Sequence, residues 1–327
     1  MTTPIRPLTP QKNEALAFTK MAGAGNDFVI IDHRVARITD AADFTRRICT
    51  RRLSVGADGL ILIEPSARAT FRMRYFNADG SLGELCGNGT RCAARFAFVN
   101  VIAPRRMTIE TDAGIVGAEI GDRGEVTLAL PSPLGFRPEM PLTIGSTTIH
   151  GSFITVGVPH YVMFLRDDLW SQNIEPLGRA IRMHRDLQPA GANANFVVVR
   201  AAHSIEVRTY ERGVEGETLA CGSGVVASVS TSALFGKVKS PVSVLTRSGI
   251  TLEVSFQLAG GPRPAAGGGE MESSASAGRG LPAAGQIDDV HLKGDARIIY
   301  RSTVTPETLD GFEVEFARDP TTRVAVT

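Results

Sequence analysis

The chain has little that would tie it to a disulfide scaffold, a metal or a membrane. Of its 327 residues only 4 are Cys and 1 is Trp. Cys49, Cys86, Cys92 and Cys221 show no CxxC spacing and no accompanying Cys–His ligand cluster. That pattern predicts free thiols in a reducing cytoplasm and no structural metal. No window is apolar over the ~20 residues of a membrane span, and MTTPIRPLTPQKNEALAF lacks a signal-peptide core. Neither sign of charge dominates, since 35 Lys and Arg stand against 34 Asp and Glu, a net +1. The basic residues are scattered, and Arg46-Arg47, Arg51-Arg52 and Arg105-Arg106 read as solvated faces rather than a nucleic-acid footprint. Also missing are a GxGxxG opening a βαβ unit and a Walker loop, so nothing points to a nucleotide cofactor.

What is present is an ordinary globular composition, 43% hydrophobic and 21% charged. The length exceeds the roughly 250–300 residues that one core supports, which predicts two domains. Residues 1–14 are polar and Pro-bearing and are expected to fray. Short β-rich runs punctuated by Gly, Asp and Asn follow at 27–31, 59–63, 72–76, 107–111 and 115–120, with a helix at 41–51 capped by Asp40. The second half repeats this texture, with strands at 125–130, 152–156, 161–165, 194–200, 205–210, 242–246 and 251–256. The Gly/Ala/Ser/Pro-rich run 258–285 lacks periodicity and is expected to be a disordered insert. Strands resume at 289–293 and 297–300. The tail beyond 305 is weakly patterned, with a further strand at 312–316.

Within this texture one motif recurs. Cys86-Gly87-Asn88-Gly89 returns as Cys221-Gly222-Ser223-Gly224, 221 − 86 = 135 residues later. A small-residue helix follows each copy, at 90–99 and at 225–234. Both are apolar nearly all round, as helices wrapped by their own sheets would be. The pattern is an internal duplication with little identity beyond the motif.

A Cys at a helix N-terminus sits beside unsatisfied backbone N–H groups and the positive end of the helix dipole, which favour a thiolate. The glycines let a ligand approach those N–H groups closely. Two such ends set face to face would cradle one carboxylate with a thiol on each side of the neighbouring carbon. That geometry suits removal of a proton from one face of the carbon and delivery to the other, with one Cys as thiolate and its partner as thiol. Fixed N–H donors would stabilise the enediolate character of the carbanion. A lone Cys beside Gly is more often a small buried hydrophobe than a nucleophile, and the repetition tips the balance only modestly. Cys49 and Cys92 keep the packing role.

Phe18–Asp32 (FTKMAGAGNDFVIID), Tyr75–Phe96 (YFNADGSLGELCGNGTRCAARF) and Tyr210–Gly224 (YERGVEGETLACGSG) together resemble the diaminopimelate epimerase family, supported by Gly56–Leu60 (GADGL) and Gly157–Val162 (GVPHYV). The resemblance spans about Phe18 to Tyr300 apart from the insert. It implies an α+β fold of two pseudo-symmetric domains, each a β-barrel-like mixed sheet wrapped around a central helix, with the active site between them. It also implies cofactor-independent interconversion of LL- and meso-diaminopimelate for lysine and cell-wall precursors, a small amino-acid substrate, a cytoplasmic location and a homodimer. The expected domains are 15–121 with about 297–305, and 122–296 carrying the insert, with 306–327 as a tail of no assigned role.

By resemblance Cys86 and Cys221 are the catalytic thiols, and His160 and Glu211 tune them. Gly87-Asn88 and Gly222-Ser223 cradle the α-carboxylate. Asn26, Asn77, Asn193, Glu211 and Arg212 contact substrate, with the Arg212 guanidinium suited to the distal carboxylate through paired hydrogen bonds. On local grounds Asn26 and Asn77 are also turn residues, and Glu211-Arg212 also reads as a surface ion pair. His160, after Pro159, also reads as a satisfied loop histidine. Asn195 is read as structural. The chain departs from the commonest family pattern at Val158, where many members have Asn, at Gly59, where some have Gln, and in RGVEGET, one residue longer than the shorter form. These departures keep open a racemase or epimerase of another amino acid such as histidine. A non-epimerase isomerase or binding protein of the same fold is a further alternative.

Overall fold

The computed structural model describes residues 16–35, 38–83, 86–166, 168–259 and 285–310. The first half runs through β1 (Ala17–Gly23), β2 (Asn26–Asp32), α1 (Ala41–Ile48), β3 (Gly59–Glu64), β4 (Phe71–Asn77), β5 (Leu82–Gly83), α2 (Gly87–Val99), β6 (Arg106–Thr111), β7 (Gly114–Ile120) and β8 (Val126–Leu130). After β9 (Leu134–Ile144) come β10 (Thr147–Val156), β11 (Val158–Phe164), α3 (Glu175–Arg182), β12 (Asn193–Ala201) and β13 (Ser204–Glu211). They are followed by β14 (Gly216–Thr218), α4 (Gly222–Leu234), β15 (Val242–Leu245), β16 (Thr251–Ala259) and β17 (Gln286–Gly294). β18 (Arg297–Thr303) and α5 (Pro306–Asp310) close the described chain.

The two halves match element for element. In the first, β1–β2 is antiparallel, β2–β3 parallel, β3–β4 antiparallel, β4–β6 parallel, and β6–β7 and β7–β8 antiparallel. The second repeats the series with β10–β11, β11–β12, β12–β13, β13–β15, β15–β16 and β16–β17. β9 flanks β10, and β18 flanks β1 in the same way, so the last strand returns to the first half. An antiparallel β8–β17 pair joins the two.

Each half buries its sheet on both faces, which is why its parallel pair reads as a continuous apolar run rather than an alternation. In the first half Phe28, Ile30, Ile61 and Ile63 face α2, while Val29, Ile31, Leu60 and Leu62 pack with Phe44 and Ile48 of α1. The second half packs Val162, Val197, Ile205 and Val207 with α4, and Phe196, Val198 and Tyr210 with Ile181 of α3. Both central helices are buried nearly all round, as their composition predicts. β8 also contributes Val126 and Leu128 to the core around α2.

Several expectations need correcting. The central helices begin at Gly87 and Gly222, one turn earlier than 90 and 225, because each Cys is itself the N-cap and the glycines form the first turn. α1 has the predicted Asp40 cap, whose carboxylate accepts from Asp43 N–H at 2.9 Å, but it ends at Ile48. α3 was not predicted, since Pro176 and Gly178 blur its periodicity. Nor was β9, which carries Pro138 and Pro141 and fully buries only Leu142. It is an edge strand, where proline is tolerated. Leu258 and Ala259, read as the start of the insert, are the last residues of β16, and Leu258 pairs with Ile287. The rest of the insert, 260–284, lies outside the described residues, as do 1–15, Glu84-Leu85 and the strand read at 312–316.

Candidate active site

Cys86 and Cys221 cap α2 and α4, and the two helix ends meet. A Cβ on Gly222 would lie 3.2 Å from Leu292 Cδ2 and 3.9 Å from Gly87 Cα, and one on Gly87 would meet only Leu292 Cδ2, at 3.9 Å. The absence of side chains at both positions leaves the first-turn N–H groups of two helices open to a shared space. Both dipoles point their positive ends into it.

The thiols differ in detail. Cys86, half-buried, accepts from Gly89 N–H at 3.4 Å, a cap that favours thiolate. Burial nonetheless pushes its pKa up to about 11. Cys221 is buried and its Sγ lies 3.4 Å from Ser223 Oγ. Burial, then the nearby Glu211 carboxylate, hold it more firmly in the thiol form. Burial raises the pKa of Glu211 itself, against the Thr218 hydroxyl and the Cys221 thiol, which favour its charge. Glu211 is therefore a raised carboxylate beside a thiol, the pairing expected of a proton acceptor.

Asn88 carries the seam between the halves. Its Nδ2 donates to Asn26 Oδ1 at 2.7 Å and to the Ala220 carbonyl at 3.1 Å. Asn26 in turn donates to Asp58 Oδ2 at 2.9 Å, and Arg51 Nη2 donates to Asp58 Oδ1 at 2.7 Å. Asn77 ends β4 with its amide donating to Ser81 Oγ at 3.0 Å across a turn. Because Gly59 pairs with both Phe28 and Asn77, the ends of β2, β3 and β4 bring Asn26, Asp58 and Asn77 together. A side chain at Gly59 has no room, as its Cβ would stand 2.6 Å from the Tyr75 ring.

In the second half the equivalent strand ends carry different chemistry. His160 of β11 pairs with Asn193 of β12, where the first half pairs Phe28 with Gly59. Asn193 Oδ1 accepts from Arg212 N–H at 2.7 Å, which places Glu211 and Arg212 beside it. Arg212 Nη1 donates only to the Ala190 carbonyl, at 3.2 Å, and no carboxylate among the described residues lies within ion-pair distance of it. The surface ion pair read from Glu211-Arg212 is thus not formed. His160 is buried and lies 3.1 Å from Asn195 Nδ2 through Nδ1. Burial lowers its pKa to about 3, with the Arg212 charge acting the same way, so the ring is neutral.

Asn195 was read as structural, yet it fixes this histidine. Its Oδ1 accepts from Thr209 Oγ1 at 3.0 Å, while its Nδ2 faces the carbonyls of Tyr161 and Asn193, each at 3.4 Å. Carbonyls only accept, so the carboxamide has one orientation and His160 Nδ1 must be the acceptor. The proton then sits on Nε2, which has no partner among the described residues. Sequence reasoning missed this, and the Ala220 carbonyl, because neither lies in the motif's own turn.

Two duplicated halves, each with a Cys-capped helix at its centre, define an internally repeated α+β fold in which the two helix ends meet. The sequence model of the diaminopimelate epimerase family matches residues 18–131 and 152–260. A diaminopimelate epimerase of Aquifex aeolicus is 44% identical over 252 residues, covering 74% of this chain and 90% of that protein. One of Chlorobaculum tepidum is 39% identical over 288 residues, covering 87% and 100%. Among solved structures, a probable proline racemase from Agrobacterium radiobacter superposes with a TM-score of 0.63 at 16% identity, covering 90% and 94%. A phenazine biosynthesis protein of Bacillus anthracis gives 0.60 at 14%, covering 90% and 100%, and both likenesses speak to the fold alone. The chain belongs to the diaminopimelate epimerase family.

Proposed function

We propose that the protein interconverts LL- and meso-diaminopimelate by two-thiol proton transfer, without a cofactor. The observation that carries this reading is the meeting of two Cys-capped helix ends at Gly87 and Gly222.

The α-carboxylate lies between the N–H groups of Gly87-Asn88 and Gly222-Ser223, with the α-carbon between the thiols. One cysteine acts as thiolate and takes the α-proton, leaving the C–H electron pair on a carbanion delocalised into the carboxylate. The opposite thiol gives its proton to the other face and becomes the thiolate. The cysteines exchange protonation states in each direction, so the site is ready for the reverse reaction. Burial favours the protonated form of both thiols, and the raised Glu211 carboxylate is the acceptor that frees Cys221 as thiolate. Neutral His160, with its proton on Nε2, is a fixed donor or relay. Arg212, which has no carboxylate partner among the described residues, receives the distal carboxylate, with Asn193, Asn26 and Asn77 completing the substrate contacts.

Each repeat forms one domain, and the two meet where β8 pairs with β17. The enzyme works in the reducing cytoplasm, consistent with four free cysteines, as a homodimer that does not bind nucleic acid. Among the described residues no helix is long and apolar enough to cross a membrane.

The test is purified protein with LL-diaminopimelate in D₂O and no added cofactor, following α-deuterium in the meso product. Cys86→Ser and Cys221→Ser are each expected to lower turnover by at least about a thousandfold with the fold retained. Full activity in either variant overturns the two-base scheme. No turnover of diaminopimelate, with turnover of another amino acid, moves the substrate assignment.

A further inference from the structure

Arg91 lies on α2, one turn past Cys86 and Asn88, and is fully buried, yet it forms an ion pair with no carboxylate among the described residues. Its Nη2 donates to Asn88 Oδ1 at 2.9 Å, and its Nε donates to the Asp295 backbone carbonyl at 3.1 Å. Its Nη1 has no partner among the described residues. The Asp295 carboxylate is committed elsewhere, accepting from Ala24 N–H at 2.8 Å and from Arg297 Nε at 2.7 Å. Gly294 makes room for the guanidinium, since a Cβ there would stand 2.9 Å from Arg91 Nε.

A buried cation that makes no ion pair is costly, and its place near the positive end of the α2 dipole makes it more so. The Asp295 carboxylate acts on it through space but is hydrogen-bonded elsewhere, so further negative charge arriving at the same place offsets the cost. The catalytic cycle brings it there, as thiolate at Cys86 and carboxylate in the cradle. Arg91 also settles the Asn88 carboxamide: by donating to Oδ1 it commits both Nδ2 hydrogens to Asn26 and to Ala220.

We propose that Arg91 is a positioning residue for the Cys86 half of the site. It orients Asn88 across the seam between the halves and supplies the positive charge that the Cys86 thiolate requires. This rests on the two-thiol reading above. Four titratable groups besides Arg91 bear on Cys86, namely Glu211 from β13, Tyr75 from β4, Cys221 opposite and Cys92 within α2, while the Asp295 carboxylate after β17 bears on Arg91 itself. Arg91 is the cation among them, and its charge opposes the burial that holds Cys86 protonated.

The thiol-reactivity test uses the full chain without substrate, so that it stands apart from the substrate assignment, and turnover of diaminopimelate is measured separately. Iodoacetamide alkylation of Cys86 and Cys221 is followed separately by peptide mass spectrometry as pH is raised. Arg91→Gln is expected to slow Cys86 about tenfold at fixed pH, a midpoint shift of about one unit, while Cys221 changes less than about twofold. Arg91→Lys restores the charge but not the fork, so Cys86 regains most of its reactivity while kcat stays low and KM changes little. Equal slowing of both thiols, or an unshifted Cys86, overturns the proposal. If the Gln variant does not fold, the Lys variant decides alone: a Cys86 midpoint displaced by about a unit with the charge retained sinks it.

Discussion

Asn88 Nδ2 donates to the carbonyl of Ala220 at 3.1 Å, across 132 residues of sequence. The bond links the first turn of α2 to the residue immediately before Cys221, so a single carboxamide ties the two helix ends together. It is also the point at which the duplication is broken, because the corresponding residue of the second half, Ser223, instead lies beside its own cysteine.

Asn88→Ala would strand Asn26 Oδ1, the Ala220 carbonyl and one arm of Arg91. Each buried polar group left without a partner costs about 1–3 kcal/mol. Urea titration is expected to show a loss of that order, with kcat/KM down at least about tenfold from misplaced thiols. Wild-type values for both would mean that the bridge is idle.

Gly222→Ala places a methyl between the helix ends, 3.2 Å from Leu292 Cδ2. Leu292 gives by a few tenths of an ångström, and the helix gains from losing a glycine, so stability should stay within about 1 kcal/mol of wild type. Activity is expected to fall at least about tenfold, chiefly through KM, because the methyl stands where the proposed reading brings the α-carboxylate to the N–H groups. Steady-state kinetics beside a thermal melt separates the two effects.

Asn195 carries a prediction about a proton. Nitrogen-15 NMR of His160 should show a neutral ring protonated at Nε2 in wild type. In Asn195→Leu the Nδ1 acceptor and the Thr209 hydroxyl lose their partner, both tautomers become populated, and kcat drops. A wild-type ring protonated at Nδ1 would contradict the orientation fixed by the two carbonyls.

His160 also predicts an acid limb. Its folded pKa of about 3 lies below the ordinary 6.5 because of burial, so between those values the unfolded chain binds a proton that the folded chain refuses. Stability therefore falls as pH drops from 6.5 toward 3, by at most about 1.4 kcal/mol per unit. His160→Gln lacks this contribution, so its stability deficit against wild type should narrow from about pH 7 to about pH 5. A deficit constant with pH would mean that the folded histidine titrates like the unfolded one.

Much of the fold was legible because its signals are local. The apolar runs at Asn26–Asp32 and Gly59–Glu64 are strands covered on both faces, and the all-round apolar helices after each Cys-Gly-x-Gly are the centres of the two halves. β9 and α3 escaped because prolines and a glycine weaken the periodicity on which such reading depends. The helix starts moved because a cysteine served as N-cap, a role usually taken by Ser, Thr, Asp or Asn.

By itself the sequence determined the duplicated motif, the small-residue helices behind it and the residue types needed for proton transfer. These are short-range properties, set by what each side chain allows its own backbone to do. Only the tertiary structure decided which groups meet: Asn88 with Ala220, Asn195 with His160, and Arg91 with the Asp295 carbonyl. Those contacts span from 35 to 204 residues of chain. Their consequences follow from burial, which removes the water that would otherwise solvate each polar group and leaves its state to its neighbours.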